Sequence, residues 1–161
     1  VGQMVMRKFR PGEEKELYAL FYNTIHNVNI KDYGRGQINA WAPSDIETNA
    51  IIQKFRKIDP FVVIKEGQIV AYADVQPDGY IDHFFCHHDH QGQGIGRTLF
   101  TVLEQNARQY GAVEMHSNVS ITARPFFEAM GFTVEKEQVI HVKDQQLKNY
   151  RMVRTDKPSE C

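Results

Sequence analysis

The stretch Gln91-Gly92-Gln93-Gly94-Ile95-Gly96 decides the fold class, because of its place between two regular segments. An apolar run that ends at Cys86 precedes it, and apolar residues at helical spacing follow over residues 94–110. Glycines at the start of a helix leave backbone N–H groups open, and the positive end of the helix dipole adds to their attraction for anions. The stretch therefore predicts a strand, a phosphate-binding loop and a helix.

The rest of the chain supplies strands and helices on both sides of this loop. A short strand and an amphipathic helix come first, followed by a second helix for which Ser44 is the predicted N-cap and Pro60 the end. Apolar runs separated by turn residues between 61 and 86 then predict an antiparallel meander of strands. After the 94–110 helix come a strand, a short helix that ends at Gly131, and two closing strands.

Strands on either side of the 94–110 helix require a right-handed crossover and a parallel pair, so the sheet is predicted to be mixed. The fold class is α/β, or α+β in some schemes, with a central sheet of about seven strands flanked by about four helices. We expect one domain over residues 1–161, a length at which a single core suffices. Residues 1–3 precede the first methionine and are left out of the fold, and residues 155–161 are expected to form a loose tail.

Composition excludes several classes of function. The net charge is −1, which leaves no global basic field of the kind that recruits nucleic acid. No run approaches the ~18 apolar residues of a membrane span, and the N-terminus lacks the pattern of a signal peptide. Cys86 and Cys161 do not make a disulfide framework. We therefore expect a cytoplasmic protein with no nucleic-acid partner and no membrane partner.

Two landmarks resemble those of the GNAT superfamily of N-acetyltransferases. The acyl-coenzyme A signature of that family, Gln/Arg-x-x-Gly-x-Gly/Ala, is matched by Gln91, Gly94 and Gly96. Residues 120–132 resemble the family segment Asn-x-x-Ala-x-x-Phe-Tyr-x-x-x-Gly-Phe at the same spacing, although Ser120 replaces the Asn and Phe127 replaces the Tyr. The order of predicted elements is also that of the GNAT fold, so the resemblance extends over residues 4–154.

A narrower resemblance is to the YafP-like branch of the family. It is carried by Tyr80-Ile81-Asp82, by residues 120–128, and by residues 37–42.

The resemblance implies acetyl-coenzyme A as co-substrate, no metal, and direct transfer of the acetyl group to the amine of a small molecule or peptide in a ternary complex. It also implies that the strand ending at Cys86 splays from the next strand, so that its main chain can bind pantetheine and polarise the thioester. Homodimers are common in the family, so a homodimer is a further expectation. The residues implied to contact acetyl-coenzyme A are Phe85, Cys86, Gln91, Gly92, Gln93, Gly94, Ile95, Gly96, Arg97, Ser120, Phe126 and Phe127.

Asp82 is the candidate general base, because many family members carry an acidic residue on the strand that leads into the loop. The alternative role for this carboxylate is to cap the turn at Gly79. His83 is the next candidate, but alternation along a strand predicts that the two side chains face opposite sides. Tyr33 and Trp41, together with Asp82, are the candidate acceptor-binding residues, since the N-terminal helical region covers the acceptor pocket in the family.

The general acid has no obvious residue, because the tyrosine that usually protonates departing coenzyme A is Phe127 here. Ser120, Tyr110, Tyr150 or water could substitute for it, and Ser120 is a candidate catalytic residue on that ground. The missing tyrosine also leaves a second class of function open, in which the chain is a non-catalytic module that binds or senses acyl-coenzyme A.

The run His83-Phe84-Phe85-Cys86-His87-His88-Asp89-His90 contains residue types that bind zinc. Its spacing favours a surface loop, because His87 and His88 are adjacent and no second His/Cys pair lies at a finger-like distance. A metal-dependent enzyme is the third class of function. Cys86 has no obvious Cys-His-acid triad around it and is predicted to be a buried strand cysteine.

Overall fold

A computed structural model describes residues 4–155 of the chain. Within these residues it has eight strands, five helices and two short 3-10 turns, at Asn29–Lys31 and His88–His90. The strands are β1 (Met4–Lys8), β2 (Phe61–Lys65), β3 (Gln68–Ala73), β4 (Tyr80–Ile81), β5 (Phe84–Cys86), β6 (Glu114–Ser120), β7 (Thr133–Val142) and β8 (Gln145–Thr155). The helices are α1 (Glu14–Asn27), α2 (Arg35–Trp41), α3 (Thr48–Ile58), α4 (Ile95–Tyr110) and α5 (Arg124–Ala129).

The strands form two four-stranded sheets, in the orders β1-β2-β3-β5 and β4-β6-β8-β7. The pair β4–β6 is parallel, with Tyr80 opposite His116, and the other pairs are antiparallel. The predicted α/β class and the parallel pair across the α4 crossover are confirmed. Thr155, expected in the tail, ends β8. Residues 1–3 and 156–161, including Cys161, lie outside the described residues.

The third strand of the predicted meander is broken at residues 82–83. The first part, β4, pairs with β6, and the second part, β5, pairs with β3, so one predicted strand contributes to both sheets. The backbone N–H groups of Asp82 and His83 donate to the carboxylate of Asp74, at 3.3 and 2.6 Å. This buried carboxylate supplies the acceptors that a neighbouring strand would otherwise offer, and so makes the break possible.

The helical region between α1 and β2 also differs from the prediction. Ser44 does not cap α3, which begins at Thr48 after the extended residue Glu47. The short helix α2 was not predicted, because glycines within and before it weaken a helical pattern. Its start is held by the side chain of Gln37, whose Oε1 accepts a hydrogen bond of 2.7 Å from the backbone N–H of Gly34.

The core lies on both faces of the paired sheets. On one face α4 and α5 cover a cluster that includes the buried side chains of Leu99, Leu103, Met115 and Met152. On the other face α1, α2 and α3 cover a second cluster, which includes Leu17, Ile25, Phe55 and Val62. Between these clusters the two sheets diverge beyond β4, and the candidate site lies in that gap.

Candidate active site

The gap between β5 and β6 is a cavity of about 640 Å³. β5 pairs with β3 and β6 pairs with β4 and β8, so the facing edges of β5 and β6 are not joined by a ladder. Phe84 and Cys86 of β5 and Ser120 of β6 are among the residues that line the cavity. The sequence resemblance implied a splay of this kind, and the break at residues 82–83 is its structural origin.

The main chain of β5 presents polar groups to the cavity. Asp74 N donates to His83 O, and His87 N donates to Val70 O, which fixes the bonded positions of the β3–β5 ladder. Because bonded positions alternate along an antiparallel pair, the N–H groups of Phe84 and Cys86 face away from β3, toward the gap. The carbonyl of Cys86 accepts hydrogen bonds from Thr24 Oγ1 at 3.2 Å and from Gln91 Nε2 at 3.1 Å.

The glycine loop ends at the N-terminus of α4. Gly92 and Gly94 have φ of +77° and +80°, in the left-handed region, and a Cβ built on either would meet nothing within 4 Å. Thr98 N donates to Gly94 O and begins the helical ladder, so the N–H groups of residues 95–97 have no partner within the helix. Backbone donors and open space therefore coincide, as an anion site requires.

Gly96 lines the cavity and also has a packing role that the sequence did not predict. A Cβ on Gly96 would lie 3.1 Å from a ring carbon of Phe126, so a larger residue would force that ring to shift. Gln93 departs from its predicted place. It is absent from the lining of the cavity, and its side chain accepts a hydrogen bond from Lys65 Nζ at 3.3 Å. The other residues predicted to contact acetyl-coenzyme A all line the cavity.

Asp82 lines the cavity and pairs with Lys54 of α3, whose Nζ lies 2.6 Å from Oδ2. The alternative role, capping the turn at Gly79, belongs to Asp78, whose Oδ1 accepts from Tyr80 N at 3.0 Å. No sequence pattern indicates Lys54 as a partner of Asp82, because this contact joins residues 28 positions apart.

His83 lines the same cavity, so the prediction that it faces away from Asp82 was wrong. Alternation does not hold here, because both residues lie in the break between strands. The His83 ring stacks on Phe21 at 5.3 Å, and Nδ1 is 2.8 Å from the hydroxyl of Tyr72. Burial lowers the pKa of His83 to about 4, so the imidazole is neutral near pH 7.

Asp74 is a second acid at this place that sequence reasoning missed. Its side chain is fully buried, and burial raises its pKa to about 6. Gln76 Nε2 donates to Asp74 Oδ2 at 2.7 Å, in addition to the two backbone donors described above. Asp74 does not line the cavity itself. It holds the backbone of the break through the N–H groups of Asp82 and His83, and so positions Asp82.

Ser120 is the one candidate acid that lines the cavity. Its Oγ accepts hydrogen bonds from Asn29 Nδ2 at 3.4 Å and from Ala123 N at 3.0 Å. Tyr110 is 46% exposed at the end of α4, and Tyr150 packs against the guanidinium of Arg124, so neither reaches the lining.

The Phe127 ring, at the usual tyrosine position, is only 3% exposed. It packs against the rings of Phe84, Phe126 and Phe132, with centroid distances of 6.0, 5.8 and 5.1 Å.

Tyr33 and Trp41 both line the cavity from the α1–α2 side, with ring centroids 5.6 Å apart. The hydroxyl of Tyr33 donates to Lys148 O at 2.6 Å and accepts from Ile121 N at 2.9 Å. Burial raises the pKa of Tyr33, and the bonded hydroxyl fixes the ring as a wall. Asn149, which the sequence analysis did not single out, lines the same region from β8.

The histidine run forms a turn beside the glycine loop. His87 Nδ1 accepts from Asp89 N at 3.0 Å, and the rings of His87 and His88 stack at 4.4 Å. Possible ligand atoms of His87, His88 and Asp89 lie within 4.8 Å of one another. Burial raises the pKa of the Cys86 thiol to about 11, which disfavours a thiolate nucleophile or ligand.

Comparison with known proteins agrees with the GNAT resemblance noted in the sequence. The sequence profile of the Acetyltransferase (GNAT) domain matches residues 29–153. The uncharacterized N-acetyltransferase YafP of Escherichia coli strain K12 is 28% identical over 152 residues, which cover 94% of this chain and 96% of YafP.

Solved structures share the fold. A GCN5-related N-acetyltransferase from Rhodopseudomonas palustris superposes with a TM-score of 0.89 at 24% identity, covering 96% of this chain and 98% of that chain. The PaiA N-acetyltransferase of Thermoplasma acidophilum, solved with coenzyme A, gives 0.73 at 14% identity and covers 95% and 99%. YncA of Salmonella typhimurium, a putative acetyltransferase solved with acetyl-CoA, gives 0.69 at 17% identity and covers 99% and 97%.

The chain belongs to the GNAT acetyltransferase family, and within that family it is similar to YafP over nearly its whole length. None of the helices within residues 4–155 is both long enough and apolar enough to cross a membrane.

Proposed function

We propose that the protein transfers the acetyl group of acetyl-coenzyme A directly to an amine while both substrates occupy the cavity. The observation that carries this proposal is that the open N–H groups of β5 and the glycine loop at α4 border one cavity. An extended thioester with a pyrophosphate at one end fits such an arrangement. The bound coenzyme A of PaiA and the bound acetyl-CoA of YncA, on the same fold, support this ligand.

In this proposal the pyrophosphate binds the N–H groups of Gly94, Gly96 and Arg97, and the helix dipole favours its charge. The pantetheine arm then follows β5, where the N–H of Cys86 bonds an amide of the arm. Phe126 and Phe127 border the arm from α5, with Ser120 at the end of β6.

For the chemical step we assign Asp82 as the base. Its carboxylate accepts a proton from the acceptor ammonium, and the freed nitrogen lone pair attacks the thioester carbonyl. The N–H of Phe84, which is nearer Asp82 along the strand, stabilises the resulting oxyanion, a contribution of preorganised dipoles. When the oxyanion collapses, the C–S bond breaks and the thiolate leaves. It takes a proton from Ser120 or water, and the amide nitrogen loses its second proton to solvent.

Enclosure of Phe127 by aromatic rings favours one alternative, a module that binds acyl-coenzyme A without turnover, since no tyrosine hydroxyl is present to protonate the thiolate. Release of free thiol from acetyl-CoA, with and without a panel of amines, separates the two. An enzyme gives amine-dependent thiol and an acetylated amine visible by mass spectrometry. Saturable acetyl-CoA binding with no thiol release from any amine would contradict the proposal.

A further inference from the structure

The charges on the cavity wall restrict the acceptor. Among the lining residues in the described part of the chain, Asp82 is the one carboxylate, whereas Arg97 and Lys148 are cations. The Asp82 carboxylate is neutralised by Lys54 at 2.6 Å. At the rim, Asp32 accepts a hydrogen bond from the lining residue Thr122 at 2.7 Å. A polycationic acceptor could therefore use Asp82 for one ammonium group and would find no second carboxylate on the wall.

Neutral amides occupy the wall that faces α1 and α2. Asn149 of β8 lies opposite Ser120 of β6 in the strand register, so both side chains point to this face. Asn29, which is 5% exposed, donates to Ser120 from the 3-10 turn after α1. The side chains of Asn29, Ser120 and Asn149, beside the candidate acetyl-transfer position, are thus polar and uncharged.

The carboxamide of Asn149 is the unsatisfied member of this wall. Asn149 is 8% exposed and lines the cavity, and its Oδ1 is buried with no hydrogen-bond partner among residues 4–155. A buried carbonyl without a partner is unfavourable, and a ligand donor would relieve the cost. The side-chain amide can turn about its last torsion and present either its oxygen or its nitrogen to a ligand.

We propose that the acceptor is an amine with one positive charge that also carries an uncharged hydroxyl or amide group, and that this second group bonds to the carboxamide of Asn149. The inference rests on the proposed function, because it assigns the acceptor of the same reaction. A second ammonium would be held against an uncharged wall without a counter-ion, which is unfavourable.

The test compares three series of amines of equal chain length, from propyl to hexyl: terminal amino alcohols, diamines and simple alkylamines. We expect the best amino alcohol to exceed the diamine and the alkylamine of its own length by about tenfold in kcat/KM, the effect of one neutral hydrogen bond. A diamine that equals or exceeds the amino alcohol in the wild-type protein would overturn the proposal.

Two variants separate the role of Asn149 from a structural one. Asn149→Leu keeps the volume and removes the polar group, so the KM for the amino alcohol should rise about tenfold while the KM for acetyl-CoA stays unchanged. Asn149→Asp adds a carboxylate, so it should shift the preference toward the diamine. Gln138→Leu is the control, because Gln138 lies opposite Asn149 on β7 but does not line the cavity. Unchanged acceptor selectivity in both Asn149 variants would refute the assignment.

Failure of the proposed function has a separate signature. If acetyl-CoA binds but no amine is acetylated, the enzyme proposal is contradicted. Calorimetric titration of the same three series into the coenzyme A complex then decides the present inference. Tighter binding of amino alcohols that is lost in Asn149→Leu supports it, and equal or tighter binding of diamines overturns it.

Discussion

Lys54 Nζ on α3 lies 2.6 Å from Asp82 Oδ2 in the break between β4 and β5, so the candidate base already holds a cation where the acceptor ammonium would bind. The two side chains are 43% and 26% exposed, and an ion pair with this much solvent contact contributes about 1 kcal/mol or less. An arriving ammonium can therefore take the place of Lys54 at small cost.

This pair provides a matched test of the base. Asp82→Asn should lower kcat by about 10²-fold or more, leave acetyl-CoA affinity unchanged, and remove the acidic limb of the pH–rate profile. Lys54→Gln breaks the same ion pair but keeps the carboxylate, so kcat should be retained and the KM of the acceptor should fall. Full turnover by Asp82→Asn on the true acceptor would move the role to His83 or to a chain of waters.

The phosphate loop can be tested by substituting the two glycines that flank α4, Gly94 and Gly111, which both have a positive φ. Gly94→Val should weaken acetyl-CoA binding by an order of magnitude or more, because a lost charge-assisted hydrogen bond is worth about 1.5–3 kcal/mol. Gly111 ends the same helix at φ +82° with equally open surroundings, so Gly111→Val imposes comparable backbone strain far from the loop. If calorimetry gives folded Gly94→Val and Gly111→Val the same affinity as the parent, the site is misplaced.

Restoring the family tyrosine should not improve the enzyme. Phe127→Tyr adds a hydroxyl within a cluster of aromatic rings, and an unsatisfied buried hydroxyl costs about 1–3 kcal/mol. We expect a lower Tm with kcat within about threefold of the parent. A clear rise in kcat together with a shifted alkaline limb of the pH–rate profile would show that thiolate departure does need that proton.

The break between β4 and β5 should make stability depend on pH through two opposing groups. The pKa of Asp74 is raised from 3.8 to about 6, so its contribution to stability is complete below the unfolded value and is lost as pH rises through about 6. The pKa of His83 is lowered from 6.5 to about 4, so its contribution is complete above 6.5 and is lost as pH falls through about 4. Each of these two pKa shifts corresponds to a change on the order of 3 kcal/mol in the free energy of unfolding.

Variants at the break separate these contributions in thermal melts between pH 4 and pH 7. Asp74→Asn removes the Asp74 contribution and keeps that of His83. The difference in Tm between this variant and the parent should therefore increase as pH rises. His83→Gln removes the His83 contribution and keeps that of Asp74. The difference in Tm between this variant and the parent should therefore decrease as pH rises. Parallel Tm curves for the parent and both variants would contradict these pKa directions.

The histidine turn should be dispensable for acetyl transfer. His87 and His88 stack on each other beside the loop, and His87 Nδ1 is occupied by Asp89 N. Replacing both by Ala should leave turnover within a few-fold. The contrary result is one equivalent of zinc in protein purified without a histidine tag, with activity that is lost when the zinc is removed.

The features that sequence predicted are those that depend on local signals. Helix α4 runs between two glycines with positive φ, Gly94 and Gly111, and both are recognisable in the sequence as helix start and stop signals. The parallel partner of the strand at Tyr80 followed from the handedness of a crossover, which holds for nearly every protein. The cavity lining near the loop followed from the family pattern.

The features that sequence missed depend on contacts between distant segments. The run Tyr80–Cys86 has no glycine or proline to mark its break, which depends on the carboxylate of Asp74, the residue after β3. Lys54 reaches Asp82 from a helix whose start was misplaced, because Ser44 offered a good cap that the chain does not use. Asn149 gains its place only through the register of β6 against β8.

Direct transfer in a ternary complex is tested most directly by initial rates of thiol release over a matrix of acetyl-CoA and amine concentrations. The cavity brings Asp82 together with the candidate acetyl-CoA contacts other than Gln93. Cys86, the cysteine that lines it among residues 4–155, has a pKa raised to about 11, so no acetyl-enzyme is expected. Direct transfer predicts double-reciprocal lines that intersect, with no thiol released before amine is added. Parallel lines, together with a burst of thiol in the absence of amine, would contradict it.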